Sequence, residues 1–107
     1  EKLKRWETRR TNFIKCRYMP NIDISVELLN MTIISKIDSG NYQFRIYCMT
    51  DNMIIGTSDI YDNTIRAIHT INIDNTPTSN CIIELHAKVT ESKCNIDSAN
   101  LNLYIKG

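Results

Sequence analysis

From Asn41 onward the chain alternates apolar and polar residues with a period of two, in one segment after another. In one clear example the apolar positions are Cys81, Ile83, Leu85, Ala87 and Val89, and the polar ones are Glu84, His86, Lys88 and Thr90. Because successive side chains of a strand point to opposite sides, this pattern is typical of sheets with one buried and one wet face. The alternation therefore predicts an all-β fold and leaves the chemistry open.

Turn residues divide the alternating stretches into seven or eight segments with short connections. We expect an arm or linker over residues 1–11 and a single antiparallel β-sandwich of seven to eight strands over residues 12–107. A chain of 107 residues with 42% apolar content is large enough for one core. The closing strand is predicted over Asn100–Lys106, after a loop over Glu91–Ala99. A change of phase after Asn30 predicts a bulge or the start of a loop.

The net charge of +1 is unevenly distributed along the sequence. Residues 1–18 hold seven basic and two acidic side chains, whereas the other 89 hold six basic and ten acidic ones. Basic character therefore belongs to the N-terminal arm, and the body lacks the basic patch that would indicate a nucleic-acid partner.

The arm residues predicted to contact a partner or membrane are Lys4, Arg5, Trp6, Arg9 and Arg10. Tryptophan favours membrane interfaces, and each nearby Lys or Arg contributes about 1 kcal/mol at an anionic surface. The alternatives are a nucleic-acid backbone and a solvated linker whose tryptophan packs on the sandwich.

No two of the four cysteines have the Cys-x-x-Cys spacing. Cys16, Cys48 and Cys81 each fall in register with apolar neighbours, which favours free, buried thiols. The alternative is two disulfides in a secreted domain, with Cys48–Cys81 pinning two sheets together as in immunoglobulin-type sandwiches. The glycosylation triplet that begins at Asn30 keeps that alternative open. Cys94, beside a lysine in a polar loop, is interpreted as an ordinary exposed thiol.

No residue pattern indicates an enzyme. His69 lies in an apolar register and is interpreted as a hydrogen-bonded, semi-buried side chain, and His86 as a solvated one. The histidines, cysteines and carboxylates do not have the local spacing of a metal site. We therefore predict no catalytic residues, no metal and no cofactor.

Three stretches resemble the C2 domain, an eight-stranded sandwich that often docks proteins onto membranes. They are IDISVELLNMTIIS (residues 22–35), SGNYQFRIYC (39–48) and CIIELHAKVTESKCNIDSANLNLYIKG (81–107). The resemblance implies an opening strand and loop, an alternating strand after a turn, and a late strand followed by a calcium loop and a closing strand.

The same resemblance implies a calcium-independent member of that family. The aspartate expected in the second stretch is replaced by Gly40, and the late loop offers Glu91 and then Lys93. Calcium takes six to eight oxygen ligands, and too few carboxylates remain here. The loop residues expected to contact a partner are Asp38, Glu91, Lys93 and Asp97. The family's basic lipid-binding strand is poorly matched, since Arg45, Arg66 and Lys88 are scattered singly.

The predicted function is a non-enzymatic binding or scaffolding module of a larger protein. Its expected location is inside the cell, either away from membranes or associated with one. It would dock onto a protein partner or an anionic membrane surface without calcium. The alternative is a secreted or virion-surface, immunoglobulin-like recognition domain held by disulfides. Open strand edges would also allow a homo-oligomer.

Overall fold

All regular secondary structure in the described residues is β-strand. The computed structural model describes residues 15–18, 25–77, 79–91 and 93–106, and side chains within these ranges from residue 28 to residue 102. The strands are β1 (Lys15–Tyr18), β2 (Ser25–Ile37), β3 (Tyr42–Cys48), β4 (Met53–Tyr61), β5 (Ala67–Asn72), β6 (Cys81–Val89) and β7 (Cys94–Lys106). Within these ranges no helix is long and apolar enough to cross a membrane. The predicted arm lies outside the described residues.

The strands form two antiparallel sheets. One sheet has the order β1-β6-β3-β4 and the other has the order β5-β2-β7. Their facing sides share one apolar core, which includes Ile33 and Ile71 from the second sheet and Phe44, Ile55 and Leu85 from the first. The prediction of an all-β, sandwich-like fold is therefore confirmed. Six strands have six or more residues, and the predicted seven is reached only by counting the four-residue β1.

Two bulges interrupt the long pairing between β2 and β7. The register shifts between Leu28 and Asn30, which leaves Leu29 as an extra residue on β2. It shifts again where Ile34 pairs Ser98 and Ser35 pairs Ile96, which leaves Asp97 as the extra residue on β7. The bulge predicted near Asn30 is thus present, and β2 continues as a strand beyond it.

The predicted loop over Glu91–Ala99 is wrong for most of its length, because β7 already begins at Cys94 opposite Ile37. The bulge at Asp97 explains the error. Cys94 and Ile96 pack against the core before the bulge, and Ala99 and Leu101 do so after it, so one extra residue breaks the period of two. The interpretation of Cys94 as a loop thiol is wrong for the same reason.

No disulfide joins the cysteines whose side chains the structure describes. Cys48 and Cys81 are buried in the core, as predicted, and Cys94 is half-buried. Cys48 lies on β3 and Cys81 on β6, which are neighbours in the same sheet. A Cys48–Cys81 bridge between the two sheets is therefore excluded by the topology.

A buried polar cluster fastens the connection between β4 and β5 to the rest of the fold. The Tyr42 hydroxyl, fully buried, lies 2.9 Å from Ser35 Oγ and donates to Asn63 Oδ1 at 2.7 Å. His69 Nε2 lies 2.9 Å from the same Asn63 oxygen. The Asn63 side-chain amide donates to the carbonyls of Ser35 and Ile65, at 2.8 Å each.

The cluster also explains the environment of His69. The His69 ring stacks on Tyr61 with 3.6 Å between ring centroids. Burial lowers the pKa of His69, so the ring is neutral near neutral pH and its Nε2–H can donate to Asn63. Burial likewise raises the pKa values of Tyr42 and Tyr61, which keeps both hydroxyls protonated. The interpretation of His69 as a hydrogen-bonded, semi-buried side chain is confirmed.

Candidate functional site

The outer side of the four-stranded sheet carries a cluster of charged and aromatic side chains. The strand register pairs each residue of this cluster on β3 with one on β6: Gln43 with Lys88, Arg45 with His86 and Tyr47 with Glu84. We refer to these six residues as the β3–β6 face. Since the inward side chains of both strands fill the core, this face points away from it.

A chain of hydrogen bonds runs across the centre of the β3–β6 face. Arg45 Nε donates to His86 Nδ1 at 3.0 Å, and His86 Nε2 lies 2.8 Å from Glu84 Oε1. Because Nδ1 accepts from the arginine, the proton of the neutral imidazole must be on Nε2, where it donates to the carboxylate. The register and these bonds fix the orientation of all three side chains.

Aromatic contacts pack the same residues together. The Tyr47 ring stacks on His86, with 5.0 Å between ring centroids and 27° between ring planes. The Arg45 guanidinium carbon lies 5.1 Å from the centre of the Tyr47 ring, within the range of a cation–π contact. Burial lowers the pKa of Arg45, but an arginine keeps its charge at neutral pH.

The interpretation of His86 as a solvated residue is wrong. Its exposed fraction is 2% and that of Glu84 is 5%, although both lie on the sheet side opposite the core. Alternation identified the side of the strand correctly but not its environment, because the cover comes in part from the neighbouring strand's Arg45 and Tyr47.

Exposed isoleucines border the β3–β6 face. Ile54 and Ile60 on β4 pair with Tyr47 and Gln43, and Ile82 has the same strand parity as Glu84. All three are among the exposed large apolar side chains. The outer side of this sheet therefore combines a packed ionic and aromatic centre with an apolar border.

The outer side of the three-stranded sheet has a different chemistry. Most of its described rows consist of uncharged amide, hydroxyl and aliphatic side chains, with Asn72, Asn30 and Asn102 in one row and Thr70, Thr32 and Asn100 in the next. Lys36, paired with Asn95, adds a charge near one end of this side. Asn102 Nδ2 lies 2.6 Å from Asn30 Oδ1 and 2.9 Å from Thr32 Oγ1.

The predicted loop residues lie only partly together. The turn that contains Asp38 is joined to the turn that contains Glu91 through Asn41 N, which donates to Thr90 Oγ1 at 2.8 Å. Lys93 follows the second turn and is exposed. Asp97 is the bulged residue of β7 and not a loop residue, so its assignment to the late loop is wrong.

The described carboxylates of this region do not converge on a metal site. Asp38 forms an ion pair with Lys36 at 3.0 Å, and Asp97 forms one with Arg66. Among the described residues, no three His, Cys, Asp or Glu side chains are grouped as metal ligands. The predicted arm contacts Lys4, Arg5, Trp6, Arg9 and Arg10 lie outside the described residues.

The β3–β6 face was not predicted from the sequence. Along the chain Arg45, Arg66 and Lys88 are single, scattered charges, whereas the register places Arg45 and Lys88 in adjacent rows of one face. Arg66, in contrast, pairs with Asp97 of β7, in the other sheet. The polar residues of β3 and β6 were the signal, but their grouping depends on a strand register that the alternation does not give.

Comparisons of the chain with protein-family models, with curated proteins and with solved structures each found no match. The resemblance to C2 domains is therefore neither supported nor contradicted by relatives and stays a prediction.

Proposed function

We propose that the chain is a non-enzymatic docking module that binds an acidic segment of a protein partner through the β3–β6 face, without calcium. The observation that supports this proposal is a packed Arg–His–Glu–Tyr cluster on the outer side of a sheet whose other side already fills the core.

Stability alone gives little reason for such a cluster. Burying charged groups has a desolvation cost that their mutual attraction often only offsets, and apolar side chains of similar size are commonly as stable. Arginine and tyrosine are, however, the residue types that dominate binding energy at protein interfaces. The exposed border of Ile54, Ile60 and Ile82 supplies apolar area that a partner would cover.

Charge favours an acidic partner. Arg45 and Lys88 lie in adjacent rows of the face. β1 lies at the edge of the same sheet, with Lys15 in register with Glu84, so the basic arm precedes the strand next to this face. The proposed arm contacts are Lys4, Arg5, Trp6, Arg9 and Arg10. Opposite charges on the partner would accelerate encounter and set its orientation.

A protein partner fits the face better than a lipid surface does. Arg45 is held by His86 and by the Tyr47 ring, an arrangement suited to a shaped partner. Anionic lipid headgroups are instead attracted by mobile basic residues near the surface. The loop residues Asp38, Glu91, Lys93 and Asp97 would contribute at most a peripheral contact. At the level of family, we propose that the sandwich is of the calcium-independent C2-like type.

A random-peptide phage library selected on the immobilised chain tests the proposal. We expect the bound peptides to be enriched in Asp and Glu and to bind equally in calcium and in chelator. In solution calorimetry with one selected peptide, Arg45→Gln and Lys88→Gln should each weaken binding by about tenfold, or about 1.4 kcal/mol. Thr70→Ala, on the exposed side of the other sheet, is the matched control and should bind as the wild type does.

Circular dichroism of each variant would show that its fold is intact before its affinity is compared. Selected peptides that bind Arg45→Gln and the wild type equally would exclude the β3–β6 face. If no peptides are enriched and the chain floats with anionic vesicles, the partner would be a membrane and not a protein. If peptide binding is lost when the charges of Arg9 and Arg10 are reversed, and is not lost in the variants of the face, the binding site would lie in the arm.

A further inference from the structure

β7 is an edge strand that runs along the whole three-stranded sheet. It has 13 residues, and within the described part of the chain it pairs with β2 alone. The other side of β7 therefore presents backbone N–H and C=O groups that no described strand takes up. Such an edge is a template for pairing with another strand.

The other three edges are better protected against pairing. β1 has four residues and β5 has six. The pairing of β4 with β3 is irregular at two places, which lie between Gln43 and Arg45 and between Ile46 and Tyr47 of β3. Short strands, bulges and charged residues are the usual means of preventing edge-to-edge association.

β7 has one such device, and only in its first third. The bulge at Asp97 and its ion pair with Arg66 protect the beginning of the strand. From Ser98 to Ile105 the sequence is SANLNLYI, which contains no charged residue, no proline and no glycine. An uncharged segment of eight residues in an extended edge is thus left for pairing.

We propose that a second copy of this chain pairs with this segment, so that the two β7 strands run antiparallel across a two-fold axis. A segment without charge is compatible with itself in an antiparallel register, since no like charges face each other. On the outer side, the exposed Asn100 amide can hydrogen-bond across the axis. On the inner side, the half-buried Ala99 and Leu101 already pack on the core and would be covered further.

The symmetry fixes how the two β3–β6 faces are placed. When an antiparallel sheet continues from one copy to the other across a two-fold axis, that axis is perpendicular to the sheet. The rotation therefore leaves the same side of the sheet facing the same way in both copies. The joined sheet has six strands, and both four-stranded sheets pack on the same side of it. Dimerisation does not depend on the proposed function, but it would give the two docking faces a common direction.

Sedimentation velocity and light scattering on the full chain, from micromolar to near-millimolar concentration, test the dimer. The wild type should shift with concentration from 12.4 kDa towards twice that mass. Asn100→Lys should stay monomeric over the same range, because it places like charges near the axis. Thr70→Lys adds the same charge to β5, at the opposite edge of the same sheet, and should dimerise as the wild type does.

Hydrogen exchange keeps the test informative if a variant folds poorly. Backbone amides between Ser98 and Leu101 in the wild type should exchange more slowly in concentrated than in dilute solution. A wild type that remains monomeric at every concentration would overturn the proposal. A dimer that persists in Asn100→Lys, or one that Thr70→Lys also dissociates, would show that β7 is not the contact.

Discussion

The Tyr42 hydroxyl shows how one buried group can hold three separate parts of the chain. It contacts Ser35 of β2, Asn63 of the β4–β5 connection and His69 of β5, at 2.9, 2.7 and 3.2 Å. Each of these groups would lose a partner inside the protein if the hydroxyl were absent, and an unsatisfied buried polar group costs about 1–3 kcal/mol. The cluster is therefore a structural element, distinct from the β3–β6 face.

Replacement of Tyr42 by phenylalanine should lower the free energy of unfolding by about 1–3 kcal/mol, since Ser35 Oγ loses this partner and Asn63 Oδ1 keeps only His69. Urea unfolding followed by circular dichroism measures the change. Tyr47→Phe is the control, because the Tyr47 hydroxyl donates to Asn52 at an exposed site and its loss should cost less than about 0.5 kcal/mol. Equal stabilities of Tyr42→Phe and the wild type would contradict the role assigned to the hydroxyl.

At the level of single residues, alternation predicted apolar burial well and polar burial badly. The burial of Cys48 and Cys81 follows from their apolar register, because β3 and β6 each have one side in the core. The burial of Glu84 and His86 could not be predicted in the same way. It depends on which residues lie opposite on β3, and these are set by a strand register between residues about 40 positions apart in the sequence.

At the level of strands, bulges limited what the period of two could predict. The bulge at Leu29 was detected because strong apolar residues lie on both sides of the change in phase. The bulge at Asp97 was missed because the residues that follow it, Ser98 and Ala99, are small, and β7 was predicted six residues too short in consequence. The partner that forces Cys94–Ala99 into a strand is the long β2, which the local sequence of β7 does not reveal.

The two sheets are joined at one side by a close approach of β4 and β5. A Cβ atom added at Gly56 would lie 2.5 Å from the backbone oxygen of Asn72. Just beyond β5, Asp74 N donates to the Ile55 carbonyl at 2.7 Å. The glycine thus allows two edge strands from different sheets to come into backbone contact.

Gly56→Ala should therefore destabilise the fold by about 1–3 kcal/mol, since backbone atoms must move to admit the methyl group. Thermal and urea unfolding give the magnitude. Thr57→Ala, at the exposed neighbouring position of the same strand, should change the free energy of unfolding by less than about 0.5 kcal/mol. An alanine at position 56 that is tolerated without loss of stability would show that β4 and β5 are not held this closely.

At the level of the whole molecule, the outer sides of the two sheets have separate properties. The four-stranded sheet presents the charged and aromatic β3–β6 face with its isoleucine border. The three-stranded sheet presents a mostly uncharged surface, with Lys36 near one end, and, at β7, an edge suited to pairing. A dimer built through the second sheet leaves the first sheet of both copies accessible, so self-association and docking are compatible in one assembly.

This geometry predicts bivalent binding. On a sensor surface dense with a selected acidic peptide, the wild type should dissociate at least about tenfold more slowly than Asn100→Lys, because two faces on one side of the joined sheet can engage together. In solution, the affinity per chain for the free peptide should be the same for both proteins, since Asn100 is on the other sheet. A sparse surface is the control and should abolish the difference. If the two proteins dissociated equally fast from the dense surface, although dimer and peptide binding had each been observed separately, the faces could not act together, and the common direction assigned to them would be wrong.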